Sequence, residues 1–145
     1  MKIYLDNCCF NRPFDDQSHI KIYIESEAKL FIQDQIRCYK IKLIWSYILD
    51  FENSENPFEE RKNAIERWKK FAFKSITENK SILSKANELR TKFNIKAKDA
   101  LHIACAIDGK ANYFITTDNF LLKRLKSFKE IIVFDPVSFI KQHGD

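Results

Sequence analysis

Four carboxylates occur along the chain where elements of regular structure are expected to end or begin. Asp6 and Asp118 each follow a short apolar run, Glu52 comes shortly after another, and Asp99 opens a helical segment rich in small residues. In an open α/β sheet the ligand crevice lies beyond the carboxyl ends of the strands. These four side chains are therefore expected to converge on one edge of a sheet.

Carboxylates that converge in this way predict a bound cation. Like charges a few ångströms apart raise one another's pKa unless a cation neutralises them. Oxygen ligands with no paired His or Cys favour a hard ion, Mg²⁺ or Mn²⁺, which keeps several waters and often bridges to a phosphate. Such an ion can deprotonate a bound water and stabilise the attacking and leaving oxygens of a phosphodiester. The acids thus predict metal-dependent phosphodiester hydrolysis.

Each acid also has a purely structural interpretation. Asp99 and Asp118 could each cap a helix, whereas Asp6 follows a buried strand, where an isolated carboxylate is costly. Asp50 and Glu52 point roughly 200° apart if they share a helix, so only one of them can face the crevice. Glu52 falls beside the apolar face of that helix and is favoured as the second acid.

The elements that position these acids follow from hydrophobic spacing. Short runs rich in β-branched and aromatic residues predict four strands, at 2–5, 41–45, 113–116 and 131–134. Apolar residues at three- and four-residue spacing predict helices at 18–37, 81–92, 98–108 and 119–125. A further helical region begins at residue 46, breaks at Pro57 and resumes to about residue 72. Gly109 is expected to end the penultimate helix in a left-handed conformation. Residues 1–145 are therefore predicted to form a single α/β domain, with a parallel β-sheet of about four strands flanked by helices in an α/β/α sandwich.

Composition narrows the class of protein. Hydrophobic residues make up 45% of the 145 residues and charged residues 31%, which excludes a disordered chain. With only 2 Gly and 3 Pro, helices joined by few turns fit better than an all-β fold. The first ten residues resemble no secretory signal, and no apolar run approaches the roughly 18 residues of a membrane span. The 4 cysteines lack the CxxC spacing of a zinc site. The sequence predicts a cytoplasmic protein with reduced thiols and no membrane association.

Charge is distributed unevenly along the chain. The net charge is +5, but residues 61–98 contain 12 Lys or Arg against 3 Glu, so this segment carries +9 and the rest of the chain −4. A basic segment beside acidic flanks can steer a polyanion toward an acidic site, although the same lysines also suit the solvated faces of surface helices.

Three sequence blocks, in order across nearly the whole chain, resemble a known family. They are Ile3-Tyr4-Leu5-Asp6-Asn7, Asp99-Ala100-Leu101-His102-Ile103-Ala104-Cys105-Ala106 and Phe114-Ile115-Thr116-Thr117-Asp118-Asn119-Phe120. Together they resemble the PIN domain, the nuclease module of the VapC-type toxins of bacterial toxin–antitoxin pairs. The chain departs from the family after the first aspartate, where the usual Thr-Asn is replaced by Asn7-Cys8-Cys9.

The resemblance implies roles for particular residues. It implies that four acids are catalytic and hold the metal ion: Asp6, Glu52, Asp99 and Asp118. It implies that three polar residues orient these carboxylates: Asn7, Thr116 and Thr117. It also implies RNA as substrate, products with a 5′-phosphate and a 3′-hydroxyl, a toxin role with a small antitoxin protein as partner, and a homodimer.

Two further residues near the acids have open interpretations. Arg12 follows the first strand by six residues and could contact a substrate phosphate, or it could pair with Asp15 or Asp16. His102 lies one turn after Asp99 and is expected to pack or to form hydrogen bonds rather than to act as a general base.

The sequence as a whole predicts a Mg²⁺- or Mn²⁺-dependent endoribonuclease. A phosphatase with an aspartate nucleophile is excluded because it needs a second aspartate two residues later, where this chain has Cys8. The alternative is a catalytically inactive PIN-like scaffold that binds RNA or a protein. Retention of all four acids favours the nuclease, because in an inactive site nothing offsets their mutual repulsion.

Overall fold

The computed structural model describes residues 1–143 and contains one parallel β-sheet. Its five strands are β1 (Lys2–Leu5), β2 (Lys42–Ser46), β3 (Ala72–Ile76), β4 (Tyr113–Ile115) and β5 (Ile132–Phe134). Their order across the sheet is β3-β2-β1-β4-β5, and every neighbouring pair is parallel. Parallel strands need crossover connections, and these are helical.

Eight α-helices flank the sheet within residues 1–143: α1 (Asn7–Asn11), α2 (Ile20–Arg37), α3 (Tyr47–Ser54), α4 (Glu59–Trp68), α5 (Lys80–Phe93), α6 (Ala97–Asp108), α7 (Asn119–Arg124) and α8 (Pro136–His143). Side-chain caps fix where several of them begin. The Ser46 hydroxyl accepts a hydrogen bond from the Leu49 amide at 3.3 Å, so α3 starts directly at the end of β2. This arrangement confirms the predicted α/β/α fold class.

The structure adds a fifth strand, β3, in a stretch where the sequence predicts no strand. The four predicted strands are each present to within one residue, but the helical pattern that was extended to residue 72 ends in a 3-10 turn at Lys69–Phe71, and β3 follows. Because β3 lies at the edge of the sheet, only Ile76 among its five residues is buried. A strand with so few buried positions lacks the apolar run that identifies the other four.

Gly109 ends α6, but not in the predicted left-handed conformation. Its φ is −78°, and the positive φ falls instead on Lys110, at 59°. A Cβ atom at position 109 would lie 2.8 Å from Ile44 Cγ2 and 3.1 Å from Ile76 Cδ1. Glycine is needed here because the end of α6 packs directly against the side chains of β2 and β3.

The central strand sets the position of the functional edge. Ile3, Tyr4 and Leu5 of β1 are fully buried, and β1 is paired with β2 on one side and β4 on the other. The chain leaves β1 toward β2 and β3 and later returns to the opposite side at β4, so the order of the strands reverses at β1. Such a switch point opens a crevice at the carboxyl ends of the two strands.

None of the helices formed by residues 1–143 is both long enough and apolar enough to cross a membrane.

Candidate active site

Asp6 stands at the carboxyl end of β1 and is held from three directions. Its Oδ1 accepts a hydrogen bond from the Asn7 amide at 2.8 Å, so the side chain also caps α1. Its Oδ2 accepts from Thr116 Oγ1 at 2.8 Å and from Cys8 Sγ at 3.6 Å. The side chain is 9% exposed, and no cation of the described residues pairs with it apart from His102, whose Nε2 lies 3.8 Å from Oδ1. The carboxylate is therefore fixed in place at the switch point.

Glu52 reaches the same crevice from α3. One of its carboxylate oxygens, Oε1, accepts a hydrogen bond from His102 Nε2, and the other, Oε2, accepts from Asn7 Nδ2 at 3.4 Å. Burial alone would raise the pKa of Glu52, but the hydrogen bond and charge of His102, with smaller contributions from Lys98 and Asn7, outweigh burial and lower the pKa. Glu52 is accordingly held as an ionised carboxylate.

Asp50, the alternative second acid, points away from this cluster. Its two oxygens accept hydrogen bonds from Trp45 Nε1 at 2.9 Å and from Lys69 Nζ at 3.0 Å. The angular separation expected on a helix is thus observed, with Glu52 facing Asp6 and Asp50 facing the other way.

Asp99 and Asp118 form no hydrogen bond with Asp6 or Glu52 within residues 1–143, but the charges of Asp6, Asp118 and Glu52 act on Asp99. Asp99 lies in the first turn of α6, and burial together with the negative charges of Asp6 and Asp118 raises its pKa to about 6. Asp118 caps α7, because its Oδ1 accepts hydrogen bonds from the amides of Phe120 (3.0 Å) and Leu121 (3.3 Å). The second carboxylate oxygen of Asp118 accepts no hydrogen bond from residues 1–143. The capping role expected of Asp118 is therefore present, whereas Asp99 does not cap α6.

The oxygen atoms in the crevice are of the type that binds a hard cation such as Mg²⁺ or Mn²⁺. They are carboxylate oxygens, and the buried Asn7 Oδ1 beside them has no hydrogen-bond partner within residues 1–143. Burial, followed by the negative charges of Asp6 and Asp118, raises the pKa of Asp99, so its charged form is disfavoured in the absence of a cation. In the arrangement described for residues 1–143, however, no three His, Cys, Asp or Glu side chains stand close enough to hold an ion. The carboxylates would have to close in on the ion when it binds.

The polar residues expected to support the acids are all at the crevice, although they act differently. Thr116 donates directly to Asp6, and its hydroxyl also accepts a hydrogen bond from the Asp118 amide at 3.1 Å. Asn7 contacts Glu52 through its side chain and Asp6 through its amide. Thr117 is buried and donates only its backbone N–H, to Cys8 Sγ at 3.4 Å.

Arg12 is engaged in ion pairs within the protein. Its Nη1 lies 3.2 Å from Asp15 Oδ2, and its Nε lies 3.2 Å from Oε1 of the buried Glu25. Pairing with Asp15 was one of the two interpretations left open by the sequence, whereas Asp16 accepts a hydrogen bond from the Ser18 amide at 3.0 Å instead. A contact between Arg12 and a substrate phosphate stays a prediction.

A buried polar chain behind the acids was not anticipated from the sequence. Tyr4 Oη lies 2.6 Å from His102 Nδ1 and 2.5 Å from Ser46 Oγ, and all three residues are fully buried. Burial alone would lower the pKa of His102, but the Glu52 hydrogen bond and the nearby charges of Asp6, Glu52 and Asp99 raise it overall. The only signal in the sequence was the presence of polar residues inside otherwise apolar buried segments.

Comparisons with known proteins identify the family and the fold. The family model for the PIN domain matches residues 3–126. No curated protein sequence matches the chain. Among solved structures, FitAcB from Neisseria gonorrhoeae is similar with a TM-score of 0.58 at 16% identity, covering 92% of this chain and 97% of that one.

Two further solved structures show the same fold. VapBC2 from Rickettsia felis, bound to a DNA fragment from its promoter, has a TM-score of 0.56 at 16% identity and covers 92% of this chain and 97% of that one. VapBC-1 from nontypeable Haemophilus influenzae has a TM-score of 0.58 at 17% identity and covers 94% and 98%. At such identities these likenesses establish the fold alone, whereas the family model extends over most of the chain and includes Asp6, Glu52, Asp99 and Asp118. The chain belongs to the PIN domain family.

Proposed function

We propose that this protein is a Mg²⁺- or Mn²⁺-dependent endoribonuclease. The observation that supports it most is that Asp6 and Glu52 both contact one buried histidine, His102, at the switch point. Asp99 is near enough for burial and the charges of Asp6 and Asp118 to raise its pKa to about 6. Membership of the PIN domain family supports a nuclease, and the carboxylate donor set supports a hard cation.

The residues of the chain divide the work in this proposal. Asp6, fixed by Thr116 and the Asn7 amide, offers the most rigid carboxylate to the ion. Glu52 holds the second position from α3, and Asp99 and Asp118 complete the charge of the site from α6 and α7. Asn7, whose buried Oδ1 has no hydrogen-bond partner within residues 1–143, would orient a water near Glu52.

The bound cation would polarise a water for attack on the phosphodiester and would stabilise the charge that develops on phosphate and leaving oxygens. The expected products carry a 5′-phosphate and a 3′-hydroxyl.

The test compares RNA cleavage by wild type and by acid variants in the presence of Mn²⁺. Asp6→Asn and Glu52→Gln are expected to reduce the cleavage rate by about a hundredfold or more, because each removes a charge that holds the ion. Asp50→Asn is a matched control, since Asp50 shares a helix with Glu52 but points away from the cluster. It is expected to change the rate by less than about twofold. Removal of the metal with EDTA should abolish cleavage in wild type.

Circular dichroism melting curves should show that all three variants fold. Cleavage that is equal in wild type and Asp6→Asn, or that persists in EDTA, contradicts the proposal. Wild type that binds RNA but leaves it intact with Mn²⁺ supports the scaffold alternative instead.

We also propose that the protein is a toxin with a small antitoxin protein as partner, and that it forms a homodimer. The VapBC and FitAcB structures share its fold, which supports the first proposal. The outer face of α2 exposes Ile20, Tyr23, Ile24 and Phe31, an apolar surface that a second copy would cover. Light scattering that gives a mass of 17.3 kDa at all concentrations contradicts the homodimer.

A further inference from the structure

Two exposed phenylalanines stand next to the acids in the chain and on opposite sides of Asp6 in the fold. Phe51 immediately precedes Glu52 in α3, and Phe120 follows Asp118 by two residues in α7. These helices begin after β2 and after β4, the two strands that flank β1. Phe51 is 51% exposed and Phe120 is 47% exposed. The packing of the core does not account for either ring.

Each ring has a cation above it. Lys98 Nζ lies 5.5 Å from the centroid of the Phe51 ring, and Arg124 Cζ lies 4.6 Å from that of Phe120. Lys98 directly precedes Asp99 in the chain, and its charge contributes to the lowered pKa of Glu52, so it lies within electrostatic reach of the acids. An aromatic ring paired with a positive charge therefore lies on the helix that follows each of the two strands flanking β1.

This combination matches the chemistry of single-stranded nucleic acid. Every base has a π-face that can stack on an aromatic ring whatever the sequence, and every phosphate is attracted by Lys or Arg. A duplex offers no free base faces along its length, and an apolar protein partner would favour one continuous patch over two rings separated by charged groups. We propose that Phe51 and Phe120 are stacking platforms for bases on either side of the scissile phosphate, with Lys98 and Arg124 contacting the neighbouring phosphates of a single-stranded RNA.

The inference deepens the proposed function and rests on it for the identity of the substrate. It adds that the acids act on an unpaired strand whose bases stack on both sides of the crevice. The platforms bind by stacking, so little dependence on the identity of the bases is expected.

The chain offers a matched control ring. Phe73 is 52% exposed and has Lys42 Nζ at 4.4 Å and Lys2 Nζ at 5.3 Å from its ring centroid. Lys2 and Lys42 begin β1 and β2, so this ring lies at the amino edge of the sheet, away from the acids. Phe73 therefore has the same exposure and the same kind of cation contact as Phe51 and Phe120, but it lies away from the acids.

The test measures binding of a dye-labelled single-stranded RNA by fluorescence anisotropy. All variants carry Asp6→Asn so that the RNA stays intact. Phe51→Leu and Phe120→Leu are each expected to weaken binding about tenfold, since leucine keeps apolar volume but cannot stack. Phe73→Leu is expected to change binding less than about twofold, and Phe51→Trp and Phe120→Trp should bind as tightly as the parent.

Several outcomes overturn the inference. These are unchanged RNA binding in the Phe51→Leu and Phe120→Leu variants, equal weakening by Phe73→Leu, and equal weakening toward a duplex RNA of the same sequence. If the leucine variants bind RNA normally, the two rings are assigned to a protein partner instead. The proposed function fails if wild type with Mn²⁺ cuts no RNA. The binding assay does not depend on cleavage, so the two failures can be told apart.

Discussion

The position of Glu52 depends on a histidine that does not itself belong to the acid cluster. Glu52 is ionised and can only accept hydrogen bonds, so His102 Nε2 must carry a proton when the two are in contact. With Nε2 protonated, Tyr4 can donate to Nδ1 and Ser46 can donate to Tyr4, while Ser46 Oγ accepts from the Leu49 amide. Every hydroxyl in this buried chain is satisfied, so the chain fixes the imidazole and through it the carboxylate.

Two substitutions at position 102 distinguish the role of Nε2 from the role of Nδ1 in this histidine. In His102→Gln the amide nitrogen falls near the position of Nε2 and keeps a donor for Glu52, whereas in His102→Asn it falls near Nδ1 and loses that donor. His102→Asn is expected to reduce RNA cleavage and Mn²⁺ affinity by roughly 10- to 100-fold, and His102→Gln to reduce them by only a few fold. Isothermal titration with Mn²⁺ and cleavage rates provide the measurement.

Urea unfolding of both His102 variants controls for loss of the Tyr4 contact. If the two variants lose activity equally while remaining folded, His102 has a packing role alone.

At the residue scale, sequence patterns predicted the positions of the acids better than their surroundings. The strand ends placed Asp6 and Asp118 because a carboxylate after a buried apolar run has few alternative locations. The helical angle between Asp50 and Glu52 allowed only one of them to face the crevice, and the apolar face of the helix favoured Glu52, which shares His102 with Asp6 in the structure. The chain from Ser46 through Tyr4 to His102 could not be predicted, since it joins three segments far apart in sequence and depends on their packing.

At the element scale, α2 buries a lysine that pairs with no carboxylate among residues 1–143. Lys29 is 1% exposed, and its Nζ lies 4.6 Å from the ring centroid of Phe10 and 5.3 Å from that of Trp68. Turning the Gln33 side-chain amide by 180° would let its oxygen accept hydrogen bonds from Lys29 Nζ and from Trp68 Nε1. Burial lowers the pKa of Lys29 to about 7, because the charged form is poorly solvated between α2 and its neighbours.

The lowered pKa of Lys29 predicts how stability changes with pH. In the unfolded chain the ammonium titrates near 10.5, so between pH 7 and 10.5 the unfolded state binds more protons and stability rises with pH. Below pH 7 the penalty for burying the charge is fully present. Lys29→Met, of similar shape, is expected to increase the free energy of unfolding by about 1 to 4 kcal/mol at pH 6, and by less at pH 10.

Urea unfolding of wild type and Lys29→Met at the two pH values measures this difference. Destabilisation of Lys29→Met at pH 6 contradicts the prediction and means that the contacts of the ammonium with Phe10 and Trp68 outweigh its burial.

Prediction of the elements themselves failed where local pattern and tertiary position disagree. The strand β3 was not predicted because its edge position leaves Phe73, Lys74 and Ser75 exposed, so it shows no continuous apolar run. The short helix α1 was not predicted because its start is fixed by the side chain of Asp6 rather than by a hydrophobic pattern. For α8 a usable signal existed, since Pro136 occupies the first position of the helix.

At the scale of the whole molecule, folding gathers negative charge from four distant segments. Asp6, Glu52, Asp99 and Asp118 are far apart in sequence, and in the unfolded chain they do not repel one another. In the folded protein, burial and the charges of Asp6 and Asp118 raise the pKa of Asp99 from 3.8 to about 6. The site therefore opposes folding in the absence of a cation, which is the expected cost of a functional cluster.

The raised pKa of Asp99 sets the sign of a second pH effect. Between about pH 4 and 6 the unfolded state loses this proton before the folded state does, so stability falls as pH rises, and above pH 6 the penalty is fully present. Asp99 accepts no hydrogen bond from residues 1–143, so Asp99→Asn removes the charge without breaking a contact. The variant is expected to be about 1 kcal/mol more stable than metal-free wild type at pH 8, after allowance for screening by solvent, and nearly equal to it at pH 4.

A divalent cation should remove the same penalty in wild type. An ion that binds only the folded state adds roughly 2.7 kcal/mol when its concentration is a hundred times its Kd, so saturating Mn²⁺ is expected to raise the melting temperature of wild type at pH 8. The rise should be much smaller in Asp6→Asn and Asp99→Asn, because each lacks a charge that attracts the ion, and EDTA should reverse it. Differential scanning calorimetry with Mn²⁺ and with EDTA measures both effects. Equal stabilisation of all three proteins means that the ion binds elsewhere, and the four carboxylates would then remain a source of repulsion without a cation to balance it.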